Sequence, residues 1–589
     1  MNLLLTGFMG TGKTTVGREV ARRLGRAFVD MDDVIAARAG KPIPCIFAED
    51  GEAAFRAIEA AVCAELSAQD GLVIATGGGA LVNVSNRRVM MYGVGGARSE
   101  TCSRTSERRQ VRRTSESATH LVICLDAGPE EILRRVGGNA DRPLLNVDDP
   151  RAEVRRLLAA RREAYGAVPW HIETSGREVD DVVVQVLTLV ETVTLPVKSP
   201  GGEYPIHIGR GLLAHLGGAL RAAGVREGTV VAMVTNTVVG PLYAGRVEAA
   251  LRDAGYRPFV CTIPDGEQHK TLDTVRALYE QFLAGQLDRS GVVLALGGGV
   301  TGDIAGFAAA TFMRGTRFVQ VPTSLLAMTD ASVGGKTGVD LPQGKNLVGA
   351  FKQPELVLID LDVLDTLPEA EFRSGMAELL KHGVIGAPEL LEKRQEARGK
   401  EQGARGKEQG ARGKEQGARG KEQEARGKEQ EARGKHPASC ILHPASLARS
   451  LRVKIDIVEE DPFERGRRAV LNLGHTTAHG LEQVSDFTLR HGDAVSIGMV
   501  AAARIAEALG RAEAGLTVRI ADVLATWGLP VACPPYPVGA VWAAMTHDKK
   551  KQGKGLRWIL PRAIGDVEIA DDVPEDLVRR ILVEMGAGE

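Results

Sequence analysis

The chain has 589 residues, 44% hydrophobic and 25% charged, with a formal net charge of −1. That is several times the about 100 to 200 residues of one domain, so more than one core is required. The charge balance excludes a protein held on nucleic acid by basic excess, and no apolar stretch reaches the about 20 residues of a membrane span, so neither nucleic acid nor membrane is an expected partner.

The first predicted element is the apolar run Leu3-Leu4-Leu5, a strand that delivers GFMGTGKT, Gly7 to Thr14, to a helix N-terminus. That is phosphate-binding geometry: backbone N–H groups around Gly10, Thr11 and Gly12 converge on phosphate oxygens, Lys13 reaches the terminal phosphates, and Thr14 holds Mg²⁺ with Thr15 beside it. FVDMDD ends a second apolar run, where strand alternation places Asp30 and Asp32 on one side, next to the phosphates. One carboxylate there can order Mg²⁺ water, and another can orient an acceptor hydroxyl. Arg56, TGGGA at 76–80, Arg135 with GGNADRPLL through Arg142, and Arg161 four residues before Tyr165 are what an anionic acceptor and a closing lid require. Apolar runs at 72–75 and 121–125 between charged helical segments predict a parallel sheet covered by helices over residues 1–190. Residues 93–118 lack apolar periodicity and read as a disordered basic insertion.

The stretch ETVTLPVKSPGGEYP at 191–205 breaks this rhythm and is taken as the domain junction. Apolar runs at 230–234, 259–263, 292–296, 318–321 and 356–359 predict a second open α/β sheet. Within it GGGVTGD follows a strand and opens a helix, so its backbone can approach a pyrophosphate, while Lys336, Lys345 and Asn346 offer donors to phosphate and carboxylate groups. After Pro368 strand signals nearly vanish and a helical C-terminal domain is expected. Glu378 with Lys381 in GMAELLKHG, LNLGHTTAHGLE, and His491 in RHGDAV suggest metal ligands, since two imidazoles and one carboxylate leave the open position of a catalytic Zn²⁺. His475 and His479, four apart, share a helix face; His382 is read as a packing residue. Residues 396–435 repeat EARGKEQ or GARGKEQ with one alanine as the apolar member of each heptad, which describes a solvated linker or fraying helix rather than a coiled coil. The seven cysteines contain no CxxC pair, and the chain opens on a strand and glycine loop rather than an apolar leader, so a cytoplasmic protein with reduced thiols is expected.

Residues 1–190 resemble shikimate kinase, most closely through DMDDVIAARAGKPIPCIFAEDGEAAFRAIE. The resemblance implies ATP and Mg²⁺ at Lys13 and Thr14, and shikimate at Asp32, Arg56, Gly78, Gly79 and Arg161, with Lys13 and Asp32 catalytic. Arg142 and Arg135 would lie on the lid near ATP. From about residue 195 to the end, the heptad repeat apart, the chain resembles 3-dehydroquinate synthase. That family implies a Zn²⁺ or Co²⁺ ion on Glu378, His475 and His491. It implies NAD⁺ contacts at Asp265, Gly266, Glu267, Gln268, His269 and Lys270, at Gly299, Val300, Thr301, Gly302 and Asp303, at Thr323, Ser324, Lys336 and Lys345, and at Val363, Leu364, Asp365 and Thr366. Substrate contacts carry over to Asp330, Lys336, Asn346, Lys381, Lys454, Arg468, Asn472, His479 and Lys549. Departures from the family are Ser324 for threonine, Thr477-Ala478 for Phe-Gly and Asp493 for glutamate; none removes a metal ligand.

The expected fold is therefore α/β: a P-loop kinase domain with a parallel sheet at 1–190, a Rossmann-like α/β domain at 195–368, and a mainly α-helical metal-binding domain at 369–589. The implied partners are small molecules, shikimate, ATP and a keto-acid phosphate, with a homo-oligomer through the synthase part left open. Rival readings are a nucleotide kinase for the first part, a polyol dehydrogenase or another sugar-phosphate cyclase for the second, and a scaffold whose sites have decayed.

Overall fold

The computed structural model describes residues 1–92, 120–136, 149–391, 442–550 and 556–589. The basic insertion at 93–118, Arg142 and the heptad repeat at 396–435 lie outside them, as does the side chain of Lys549.

Strands β1 (Asn2–Gly7), β2 (Phe28–Asp30), β3 (Val73–Ala75), β4 (His120–Asp126) and β5 (Trp170–Glu173) form a sheet in the order β2-β3-β1-β4-β5, with parallel pairing throughout. β1 and β3 are buried along their whole length, which is why they read as continuous apolar runs: a parallel sheet hides both faces under helices. The loop after β1 turns at Gly7, Gly10 and Gly12, whose φ values of 134°, 80° and 92° only glycine adopts without strain. It feeds the helix Lys13–Leu24.

One local expectation is corrected here. β2 stops at Asp30, which caps the helix Met31–Ala39 by accepting from the Asp32 N–H at 3.1 Å, so Asp32 lies in a first helical turn and not on an alternating strand. A carboxylate that satisfies an otherwise orphaned helix N–H ends the strand in favour of the helix.

The second sheet runs β6-β7-β14-β11-β10-β8-β9 through β6 (Val193–Ser199), β7 (Gly202–Gly209), β8 (Val230–Asn236), β9 (Arg257–Ile263), β10 (Val292–Gly297), β11 (Arg317–Pro322) and β14 (Leu356–Asp360). Between β11 and β14, β12 (Lys336–Leu341) and β13 (Gly344–Phe351) form an antiparallel hairpin. The stretch read as a junction thus holds β6 and the start of β7, and Pro196 is tolerated because β6 is an edge strand that needs no donor there. Beyond Pro368 the chain is helical, as expected, apart from the hairpin of β15 (Trp558–Ala563) and β16 (Asp566–Ala570).

By internal contacts the chain divides into one unit of 1–196, 205–231 and 245–259, and a second of 197–204, 232–244 and 260–589. Among the described residues no helix is long and apolar enough to cross a membrane.

In the second unit the helices His475–Val484 and His491–Ala508 pack closely. A Cβ on Gly498 would lie 2.0 Å from the Gly474 carbonyl oxygen, so the approach exists only because Gly498 has no side chain. This contact sets His475 and His491, each the first residue of its helix, side by side.

Candidate functional site

The phosphate loop ends on Lys13, whose ammonium donates to the carbonyls of Gly7 and Phe8 at 3.0 and 2.9 Å and so lies over the loop. Thr14 donates to Asp30 Oδ2 at 2.7 Å, joining the loop hydroxyl to a carboxylate as a Mg²⁺ site requires. Across from it the turn Thr76–Gly79 collects the expected acceptor residues. Arg161 and Tyr165 both donate to the Gly78 carbonyl, at 2.9 and 2.6 Å. A Cβ on Gly77 would stand 3.0 Å from Asp32 Oδ1, and one on Gly79 would stand 3.2 Å from Arg56 Nη1. The absence of a side chain at these two glycines lets Asp32 and Arg56 approach the turn closely. Arg56 is oriented by Glu59 at 2.8 Å, a carboxylate only 1% exposed. Sequence reading missed Glu59; its position three residues after Arg56 on a helix was the available signal. Arg135 ends the helix Pro129–Val136 and donates to Gly10 O at 3.2 Å and Thr174 O at 2.7 Å, so it braces the phosphate loop.

The second constellation lies in the second unit. A cavity of about 570 Å³ is lined by Asp303, Asp330, Lys336, Asn346, Lys381, Lys454, Arg468, Asn472 and His475, all of them anticipated, together with Glu464, which was not. Glu464 pairs with Lys336. Lys454 donates to Asp330 Oδ1 at 2.6 Å. Burial would raise the Asp330 carboxyl, but the Lys454 ammonium beside it holds it well below the usual range, while burial lowers Lys454 against the opposing pull of Asp330.

The glycine turn after β10 opens the helix Gly299–Thr311 as expected. Asp303 on its first turns meets Lys270 at 2.7 Å, and Lys270 also donates to Asn346 Oδ1 at 2.6 Å. Burial pushes Asp303 up to about 6, against the pull of Lys270. Asp265 accepts from Asn236 Nδ2 at 2.5 Å, a partner at the end of β8 that sequence reading missed. Lys345 sits 3.7 Å from Glu267 and 4.3 Å from the Phe487 ring centre. Thr323 N bonds Gly297 O at 2.9 Å, and Ser324 Oγ accepts from Ala327 N at 3.3 Å. The turn Leu361–Thr366 carries Val363, Leu364 and Asp365, with the Tyr243 hydroxyl 3.1 Å from Val363 O.

Behind His475, which lines the cavity, Glu378, His475 and His491 bring one ligand atom each to within 4.8 Å of one another. His475 Nε2 and His491 Nε2 lie 3.7 and 3.5 Å from Glu378 Oε1. These are long for hydrogen bonds and close to the about 3.4 Å edge of a tetrahedron with bonds of about 2.0–2.1 Å. The donor set fits a Zn²⁺-like ion. Glu378 is fully buried, which would raise its pKa, yet Lys381 and the two imidazoles hold it well below the usual range. Both imidazoles are anchored through the opposite nitrogen: His475 Nδ1 is 3.2 Å from Leu473 O, and His491 Nδ1 is 3.1 Å from Glu482 Oε1. That is the outer support that orients histidine ligands, and Glu482, the last residue of HTTAHGLE, was not anticipated. His479 stands with its ring 5.5 Å from that of His475 on the same helix face. His382 is buried and bonds Ser450 Oγ at 2.8 Å, consistent with packing.

Residues 9–191 match the family described as shikimate kinase, 260–374 that described as 3-dehydroquinate synthase N-terminal, and 375–551 that described as 3-dehydroquinate synthase C-terminal. The 3-dehydroquinate synthase of Microcystis aeruginosa is 42% identical over 398 residues, covering 67% of this chain and 100% of its own. That of Geobacter metallireducens is 41% identical over 377 residues, covering 64% of this chain and 95% of its own. Among solved structures, a 2-epi-5-epi-valiolone synthase from Streptomyces hygroscopicus with NAD⁺ and Zn²⁺ bound superposes with a TM-score of 0.53 at 26% identity, over 65% of this chain and 96% of that one. By these matches the chain belongs to the 3-dehydroquinate synthase family and carries a shikimate kinase domain ahead of its synthase part.

Proposed function

We propose that the chain catalyses two reactions of chorismate biosynthesis: ATP-dependent phosphorylation of shikimate to shikimate 3-phosphate, and conversion of 3-deoxy-D-arabino-heptulosonate 7-phosphate to 3-dehydroquinate with release of phosphate. The observation that carries the second is the cavity in which buried cations, the glycine turn's Asp303 and His475 of the metal-ligand triad meet. A polyol dehydrogenase would not need Lys336, Lys454 and Arg468 together; an anionic substrate that expels phosphate does.

In the synthase, the Gly299–Asp303 segment would hold NAD⁺, which would supply a reversible hydride acceptor, and Glu378, His475 and His491 would hold a Zn²⁺ or Co²⁺ ion, which would supply Lewis acidity. The chain's own residues do the rest. Lys336 and Arg468 bind the anionic ends of the substrate, and Lys454 is held at the site by its ion pair with Asp330. His479 relays protons, since a neutral imidazole both accepts and donates near neutral pH. In the kinase, Lys13 and the loop N–H groups hold the ATP phosphates with Mg²⁺ at Thr14, Asp32 orients the acceptor hydroxyl, and Arg56 and Arg161 bind the shikimate carboxylate. We assign these activities to two folded parts, residues 1–190 and 195–589, the second composed of 195–368 and 369–589.

The deciding experiment is a two-substrate assay on the intact chain that follows phosphate release from the keto-acid phosphate and ADP formation with shikimate. Failure of either arm sinks the corresponding half. Turnover of glucose 6-phosphate in place of the keto-acid phosphate would favour another sugar-phosphate cyclase.

A further inference from the structure

On the first sheet a second group of metal-ligating side chains lies apart from the residues assigned above. β4 and β5 pair in parallel with Cys124 opposite His171. Asp126, two residues beyond Cys124, projects from the same face of the pleat. Cys124, Asp126 and His171 each bring one ligand atom to within 4.8 Å of the others. Cys124 Sγ is 3.4 Å from Asp126 Oδ1, and His171 Nδ1 is 2.6 Å from Asp126 Oδ2.

The second observation is the other side of the imidazole. His171 Nε2 lies 3.0 Å from Val168 O and 3.2 Å from Tyr165 O. Carbonyls only accept, so Nε2 carries hydrogen. In the metal-free chain the 2.6 Å between Nδ1 and Asp126 Oδ2 is a hydrogen bond, shorter than the about 3.4 Å between two ligands of a tetrahedral ion, so a cation binds by replacing the hydrogen held there and parting the two groups. An imidazole whose far N–H is tied to a backbone carbonyl is the form in which histidine ligands are held. Cys124 is buried, whereas the Asp126 side chain is 39% exposed, so an ion has an approach from solvent and a position for water. Sulfur, nitrogen and one carboxylate oxygen favour a Zn²⁺-class cation over Mg²⁺ or Ca²⁺.

We infer that Cys124, Asp126 and His171 form a second divalent-cation site, thiolate-containing and selective for Zn²⁺-class ions, within the shikimate kinase domain. Binding is balanced by loss of two protons: the cation replaces the hydrogen on Cys124 Sγ and the hydrogen shared between His171 Nδ1 and Asp126, after which the imidazole and the carboxylate each donate a lone pair. The site adjoins the phosphate loop, because Cys124 is paired with Thr6 of β1, and the Asp126 carbonyl accepts from both Thr174 N and Thr174 Oγ1, the residue that Arg135 grips.

The test is a Co²⁺ titration of the metal-free, full-length chain followed in the near ultraviolet and by equilibrium dialysis. Glu378, His475 and His491 contain no sulfur, so a thiolate-to-cobalt charge-transfer band reports the inferred site separately from the synthase one. Two equivalents of Co²⁺ are expected, one of them bringing the band. Cys124→Ser should remove the band and one equivalent while leaving the other, and His171→Asn should weaken the band-forming step by at least about tenfold. No band in the wild-type chain at saturating Co²⁺, or a band that survives in Cys124→Ser, overturns the inference. The wild-type titration decides even if a variant fails to fold.

Discussion

At the scale of single residues, His491 and His479 carry different duties although both are imidazoles of the synthase part. His491 faces Glu378, so His491→Ala should lose the metal by orders of magnitude, and phosphate release with it, while shikimate phosphorylation continues. His479→Ala should keep a full equivalent of metal but turn over slowly. Metal analysis beside both assays separates the two outcomes. Glu482 acts through His491: Glu482→Ala should reduce metal affinity by about 10- to 100-fold, with Glu482→Gln recovering part of it because the amide oxygen still accepts from Nδ1–H. Competition with a chelator of known affinity measures this, and unchanged affinity in Glu482→Ala would remove the residue from the metal's support. His207 on β7 gives a pH signature. Burial pushes it down to about 4, and Thr194 Oγ1 lies 2.8 Å from its Nδ1. The unfolded chain binds the proton first, near the ordinary value of about 6.5, so stability should fall as pH drops from about 6.5 to about 4, by up to about 3 kcal/mol. His207→Gln should flatten that part of the profile, read from urea midpoints.

At the scale of elements, the metal site depends on how closely two helices approach. Gly498→Ala would drive a methyl into the Gly474 carbonyl, which is backbone and cannot rotate aside. The helices His475–Val484 and His491–Ala508 must then separate, at a cost of about 1–3 kcal/mol and with His475 drawn away from His491. We expect a lower melting temperature and weaker metal binding together. A melting temperature that falls while metal affinity stays fixed would show that the crossing does not set the ligand geometry. The heptad repeat is an insertion between the helices Glu369–Gly386 and Pro444–Glu460. With one alanine per heptad its sequence cannot bury a core, and loop length costs little closure entropy. Replacing 396–435 by a short linker should therefore preserve most synthase turnover, and an insoluble or inactive product would make the repeat structural.

At the scale of the whole molecule, the phosphate loop and the metal triad belong to different folded units. Lys13→Ala should abolish ADP formation with shikimate and leave dehydroquinate formation within about twofold, since separate cores respond separately. Parallel loss of both activities would show that the two bodies do not act independently.

The sequence by itself determined the two chemistries. GFMGTGKT and GGGVTGD each follow a strand and open a helix, and in the first the positive φ at Gly7, Gly10 and Gly12 makes glycine a local requirement legible without knowing the fold. It also determined the parallel first sheet, whose central strands read as unbroken apolar runs. It misjudged Asp32, where an N-cap competed with strand alternation, and it passed over β6 and the β15–β16 hairpin, where proline or short length masks the period. Glu59, Asn236, Glu464 and Glu482 became visible only in the folded chain. Three of them hold a functional side chain from a distant part of the sequence or the next helix, and Glu59 looks like any surface glutamate until its burial is known. Motifs specify which groups must exist, whereas tertiary packing decides which second group lies within about 3 Å of each. That second group orients the ligand or the cation, and it is where local sequence carries the least information.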